Sequence, residues 1–258
     1  MPFTVAHAAA AVPLRRALGR RAVLSALVIG SVVPDFWYLL PFHLKRADTH
    51  TLAALFWFCL PVGLATYVLY HAVMKQPWLE LLPQPLALRL ASSTPPGLPR
   101  VRWSAVVTSL ALGAATHLLW DALTHDGPIV EHALPALDAA LFSIGPYEAY
   151  GYSLLQHLST AAGLALLAVW LRAWYRSAAP RPPAAYRLSR GAAVTLLVAI
   201  AAATAWIGAQ AATIMWEQHL ALAETRALAK LALSQAATVM LSALLVYGVA
   251  WHLLGKAD

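Results

Sequence analysis

Apolar runs at residues 22–42, 52–74, 102–124, 153–175, 191–214 and 233–254 recur along the chain, and each approaches or exceeds the length of about 20 residues that a helix needs to cross a bilayer. A helix satisfies its own backbone hydrogen bonds, which is what lipid demands of any segment that enters it. Composition points the same way. Of 258 residues, 60% are apolar and 11% are charged, against roughly 45–50% and 25% in soluble domains. The expected class is therefore all-α: a polytopic integral membrane helical bundle of about six spanning helices. A short helix over residues 4–17, capped by Thr4 and ending near Gly19, precedes them; it is too short to span.

The formal charge of +7 does not call for nucleic acid. The basic residues fall between apolar runs, as the positive-inside rule expects, so the partner expected is membrane lipid. Arg20-Arg21 is followed by an apolar run that leads into Pro34-Asp35 with no small-residue cleavage site, and reads as the positive flank of the first span. Residues 75–102 hold Lys75, Arg89, Arg100 and Arg102, and residues 172–190 hold Arg172, Arg176, Arg181, Arg187 and Arg190. Both loops are assigned to the cytoplasm, and the Lys- and Arg-free segment from Asp126 to Tyr152 to the outside. With six spans both termini lie inside, with Arg15, Arg16 and Lys256 on the expected side. The prolines between residues 76 and 100 argue for a connector, within which Trp78 to Leu90 would lie flat at the interface. Pro180, Pro182 and Pro183 mark a second connector. The expected division is a helical membrane part over 1–175, a Pro/Arg-rich linker over 176–190 and a two-helix anchor over 191–258.

Ionisable residues inside spanning segments are costly and mark functional sites by default. Asp35 follows Pro34 late in the first span, His50 precedes the second, and His117, Asp121 and His125 are spaced by four near the end of the third. On that topology they share one depth. Steps of four residues keep His117 and Asp121 on one helix face, where they can ligate one metal ion, while His125 is about 12 Å along the axis from His117. Asp121 between them suits a two-ion arrangement with a bridging carboxylate. If residues 4–17 and 22–40 form a hairpin turning near Gly19, His7 comes opposite residue 31, one turn from Asp35. The metal-ligand set is then His7, Asp35, His50, His117, Asp121 and His125, with His157 peripheral. Histidine and carboxylate without thiolate favour a divalent ion, zinc first, with manganese or iron as alternatives. Cys59 is the only cysteine, which excludes an intrachain disulfide and a thiolate-rich centre. Lone histidines at 43, 71, 132, 219 and 252 read as packing, and Trp37, Trp57, Trp120 and Trp170 as interface and packing residues.

The opening Met1-Pro2-Phe3-Thr4-Val5-Ala6-His7, the stretch Gly30-Ser31-Val32-Val33-Pro34-Asp35-Phe36, His50-Thr51-Leu52, and Thr116-His117 through Trp120-Asp121 to Thr124-His125 carry a resemblance. Together with Leu155-Gln156-His157, they resemble an uncharacterised bacterial membrane family, domain of unknown function 4184, over about the first two-thirds of the chain. The order of elements is more distantly similar to membrane-bound metal-dependent hydrolases, and more remotely to helical zinc phospholipases C and P1-type nucleases. That similarity implicates His7, Asp35, His50, His117 and Asp121, with His125 less secure. It also implies two departures: those hydrolases show an extra acidic residue beside Pro-Asp and an arginine shortly before His-Thr, whereas here Phe36-Trp37 follows Asp35 and Ala47-Asp48 precedes Thr49-His50.

The reading that results is a membrane-embedded, metal-dependent hydrolase of a phosphoester or ester at the bilayer surface, in the bacterial cytoplasmic membrane. The alternatives are a transporter or a lipid- or metal-binding scaffold, or a polar cluster that only fixes helix packing. One conflict stands. His7 follows a cytoplasm-leaning N-terminus while the other ligands lie outward, and only a re-entrant first segment or an inverted topology reconciles them.

Overall fold

The computed structural model describes residues 4–40, 44–93, 97–144, 147–181, 188–218 and 222–254. Among the sequence-stretch residues discussed above, His43, Arg187, His219, Lys256, Pro95, Pro96, Pro182, Pro183 and the opening Met1-Pro2-Phe3 lie outside them. The architecture is a helical membrane bundle, with five helices among the described residues long and apolar enough to span. Two compact units divide the chain: Met1–Trp37 with Phe42–Tyr67 and Arg100–Ser177, and Tyr38–Pro41 with Val68–Pro99 and Ala178–Asp258.

In the first unit a 3-10 helix over Thr4–Ala10 runs into α1, Ala11–Leu18. The chain then turns at Gly19, whose φ of 55° lies in the left-handed region that glycine enters without a steric penalty. The Arg15 guanidinium donates to the Gly19 carbonyl across this turn. Helix α2, Leu24–Val32, returns alongside, and tightens into a 3-10 helix over Val33–Leu39. The tightening falls at Pro34, which has no N–H to give the Gly30 carbonyl and whose ring crowds it. The expected span over 22–42 is thus realised as a shorter apolar helix, Leu24–Leu39. A four-residue helix α3, Arg46–Thr49, leads to α4, Leu55–Leu81. Its Lys45 N–H is met by the Asp48 carboxylate at 2.8 Å.

Helix α2 lies parallel to and directly against the long helix Trp103–Thr124. Val23 N–H donates to Ser109 Oγ at one end of the contact, and Gly30 and Gly113 face each other's backbones in the middle. A Cβ at Gly30 would sit 2.2 Å from the Leu110 carbonyl oxygen, and one at Gly113 2.3 Å from that of Leu27. Close approach through small residues is how helices associate in lipid, where apolar side chains gain little by leaving the tails. Ala26, Tyr67, Val106 and Leu110 form the buried core beside this contact.

Helix α4 continues through Pro77, against the expectation of a connector starting at residue 76 and of a flat interfacial segment from Trp78. Two π-turns, Leu55–Cys59 and Tyr70–Met74, lie within it. Pro77 leaves the Val73 carbonyl without its intrahelical donor, and His252 Nε2 donates to that oxygen at 3.1 Å, so the helix survives. It breaks instead at the extended Leu82, before α5, Gln84–Ser93. With Trp103–Thr124 as α6 and Gly151–Ser177 as α7, the last two helices are α8, Arg190–Glu217, and α9, Leu222–Leu254; short helical turns at Ile129–Ala133 and Pro135–Asp138 lie between α6 and α7.

In the second unit buried Glu80 accepts from Leu188 N–H, Trp251 Nε1 and Tyr247 Oη at 3.1, 2.8 and 3.3 Å. These bonds tie α4 to the two terminal helices. Buried Lys75 donates to the Gly97 carbonyl at 2.8 Å. Between α6 and α7, the acidic segment forms a small antiparallel hairpin, β1 over Ala140–Ile144 and β2 over Tyr147–Tyr150, with an irregularity between Ala140 and Phe142. The most apolar window of α7 is only 6% buried by protein, so its leucines face lipid.

The glycine contact sets a stability prediction. Gly113→Val or Gly30→Val drives a side chain into backbone and should cost about 1–3 kcal/mol or more. A thermal-unfolding series in detergent would read this as an earlier transition than in Gly208→Val, a position with nothing within 4 Å.

Candidate metal centre

Three local geometries bring the polar residues together. A 3-10 helix has about three residues per turn, so Thr4 and His7 share one face of the Thr4–Ala10 segment. Thr4 Oγ1 donates to Asp35 Oδ2 at 2.6 Å, and His7 Nε2 lies 3.4 Å from Asp121 Oδ1. The α2–α6 contact brings the Ser31 carbonyl to His117 Nδ1 at 2.8 Å. The end of α3 presents His50, whose Nδ1 is 3.2 Å from the Arg46 carbonyl.

The Ser31 carbonyl can only accept, so His117 Nδ1 carries its proton and its Nε2 holds a lone pair in the neutral ring, whereas His50 Nδ1 also meets the Thr49 hydroxyl at 3.0 Å. The His50 and His117 Nε2 atoms are 3.3 Å apart. His50 Nε2 is also 3.4 Å from Asp35 Oδ1 and 3.3 Å from Asp121 Oδ2, and His117 Nε2 is 3.8 and 3.7 Å from the same oxygens. His7 stacks on His117 with ring centroids 3.8 Å apart. His7 Nε2, Asp35 Oδ1 and Asp121 Oδ1 are buried with no hydrogen-bond partner. The cluster sets three imidazole nitrogens against two carboxylates at 3.3–3.8 Å, an arrangement that a cation could complete.

Two groups here can hold a metal ion: His7, His117 and Asp121, and Asp35, His50 and His117. They share His117, and one imidazole nitrogen has one lone pair, so both cannot use it at once. Backbone carbonyls behind ligand imidazoles are the usual outer support of a metal site, because they fix the tautomer. The donor set of three imidazoles and two carboxylates fits a divalent ion with no thiolate.

The structure thus brings together His7, Asp35, His50, His117 and Asp121. His125 stands at the edge: its Nδ1 donates to the Asp121 carbonyl at 3.0 Å, and the Gln156 amide faces its Nε2 at 3.4 Å. Its nearest approach to the carboxylate is 3.8 Å, to Asp121 Oδ1.

Arg46 is the residue that sequence reasoning missed. Its Nη2 donates to Asp121 Oδ2 at 2.8 Å, with the side chain 34% exposed. It stands four positions before His50, one turn of helix α3 away. The signal was present: a helical turn puts residue i beside i+4. Burial disfavours charge on His50, but hydrogen bonds to Asp121 and Asp35 outweigh it and hold its pKa above the usual imidazole value. For His7 burial wins and its pKa falls.

The N-terminal segment separates His7 from the arginines. From Thr4 to Leu18 the segment descends about 26 Å, at roughly 2.0 Å per 3-10 and 1.5 Å per α residue. Arg15, Arg16, Arg20 and Arg21 therefore sit at the hairpin's turn, at the far end from the cluster.

Fold and site together define a helical multi-pass membrane protein with a buried histidine–aspartate cluster. The chain belongs to the family described as Domain of unknown function (DUF4184), whose model matches residues 1–253. No curated protein and no solved structure matches it.

The cluster separates two kinds of substitution. Thr4→Val removes one hydroxyl donor and should cost about 1 kcal/mol. Asp121→Ala removes the charged partner of Arg46 and should cost more, about 1.5–3 kcal/mol. Thermal unfolding of the two variants in metal-free detergent solution gives the order.

Proposed function

We propose that this chain is a membrane-embedded, metal-dependent hydrolase that acts on a phosphoester or ester at the bilayer surface. The carrying observation is the convergence of His7, His117 and Asp121, and of Asp35, His50 and His117, into two buried groups able to hold an ion, with the His50 and His117 Nε2 atoms 3.3 Å apart. In this reading His7, Asp35, His50, His117 and Asp121 hold the ion, zinc first, with manganese or iron as alternatives. His125 supports Asp121 from its backbone. A divalent cation held there would supply Lewis acidity and make a water molecule acidic.

The chain's own groups supply the rest. Hydrolysis joins a water oxygen to phosphorus or to the acyl carbon, breaks the bond to the ester oxygen, and delivers one water proton to that leaving oxygen. In this reading a carboxylate of the cluster, Asp35 or Asp121, carries the proton from water to the leaving oxygen. Arg46, paired to Asp121 yet partly exposed, neutralises charge that develops on the substrate oxygens. Below His117 the α2–α6 contact is glycine, leucine and alanine packing, which favours a site closed at one end over a transport path. The arginines at the hairpin turn favour a site facing away from the cytoplasm, in a bacterial cytoplasmic membrane.

Metal analysis of detergent-purified protein tests this reading. Wild type should retain about one divalent ion per chain, the single-ion occupancy favoured by the shared imidazole lone pair, and His117→Ala/Asp121→Ala should lose it; equal content in both would sink the proposal. Acid gives a second check. Protons and metal compete for the same Nε2 atoms, and His50 binds its proton more tightly than an ordinary imidazole. Bound metal should therefore be released as pH falls into the range where imidazoles take up protons, and regained when pH is raised again.

A further inference from the structure

A groove of about 630 Å³ runs beside the cluster, walled by Ala6, His7, Ala9 and Ala10 of the N-terminal segment, by Thr116, Leu119 and Trp120 of α6, and by one face of α7 from Leu155 to Leu166. Its volume is that of a small-molecule site. Along α7 it extends about 17 Å, comparable with half of the roughly 30 Å hydrocarbon core, the reach of one leaflet's acyl chain.

The lining excludes a polar occupant. Thr116, Ser159 and Thr160 all spend their hydroxyl protons on carbonyls of their own helices, at 2.7, 3.1 and 2.8 Å. The Trp120 indole N–H donates to Ser159 Oγ at 3.1 Å. What remains, apart from His7, is alanine, leucine, one glycine and a tryptophan ring. Leu119 and Leu158 are 63% and 59% exposed on helices of spanning length, so the groove opens to lipid. His7 alone belongs both to the groove wall and to the cluster.

We propose that the substrate is a phospholipid, one of whose acyl chains lies in this groove while its phosphate meets the cluster and Arg46. The inference rests on the hydrolytic reading above and names its substrate class. An acyl chain gains little free energy by moving from bilayer to groove, since both are apolar. The groove therefore positions rather than attracts: it brings the ester linkage of a molecule already at high local concentration to the Asp35 and Arg46 side chains. Selectivity falls to the phosphate, which Arg46 recognises by charge-assisted hydrogen bonds.

The test uses the full chain in phosphatidylcholine nanodiscs doped with a phosphatidic acid that carries a diazirine in one long acyl chain. Photolabel should concentrate on residues 116–120 and 155–166. Ala162→Trp, which fills the groove from an exposed position, should cut that label about tenfold. The same variant should lose hydrolysis of long-chain phosphatidate while keeping its metal content and its rate on a water-soluble short-chain phosphatidate. Label spread evenly over the lipid-facing helices, or unchanged in Ala162→Trp, overturns the groove. Equal groove labelling by a diazirine-bearing alkane without phosphate makes the occupant a structural chain and overturns the substrate assignment. Crosslinks from groove positions to a second copy of this chain do the same. Failure of the hydrolytic reading is separate: it appears as a wild-type protein without metal, whatever the label map.

Discussion

Backbone contact between α2 and α6 governs the molecule's chemistry. Gly30 and Gly113 let the two helices approach until a single Cβ would collide with a carbonyl. The same approach brings the Ser31 carbonyl within 2.8 Å of His117 Nδ1, and so fixes the tautomer of the central imidazole. Asp35 arrives at the cluster because it follows Ser31 by four residues on the same element, past the Pro34 tightening. Packing and ligand orientation are thus one feature, and neither could be loosened without the other.

Much of this was legible in the residues. Hydropathy gave the spanning helices, and the four-residue spacing of His117 and Asp121 gave a shared helix face. The Gly19 hairpin placed His7 near Asp35 by counting. What escaped had physical reasons. Pro77 does not end α4, because His252, 175 positions later, supplies the donor that proline removes; no local pattern announces so distant a partner. The hairpin after α6 escaped because its strands are five and four residues long and do not alternate cleanly. Arg46 was overlooked because attention fell on the residues immediately before His50, whereas a helical turn makes the fourth neighbour the adjacent one.

Low dielectric sharpens the argument about the cluster. Asp35 and Asp121 are almost wholly buried, and Arg46 is the cation seen paired with Asp121. With neutral imidazoles the group keeps a net negative charge where charge is expensive. Protons on His7 and His50 Nε2 would each meet a carboxylate oxygen at 3.4 Å, and a divalent ion would draw on the same nitrogen and oxygen lone pairs.

The short N-terminal hairpin shows why length matters as much as polarity. An α-helix of ordinary spanning length beginning at Thr4 would carry its first turn to the far membrane surface from its last. Here the opening segment is cut to about 26 Å by Gly19, and its arginines stand at the turn while His7 stands near the start. A segment too short to span is thereby able to deliver one imidazole to the buried cluster and four cations to the opposite end. The 3-10 winding adds the second requirement, since three residues per turn put Thr4 and His7 on one face, where an α-helix would rotate them about 60° apart. Thr4 then holds Asp35 by one oxygen and leaves the other turned toward the imidazoles. The unusual winding of those seven residues is accordingly a condition of the site's geometry.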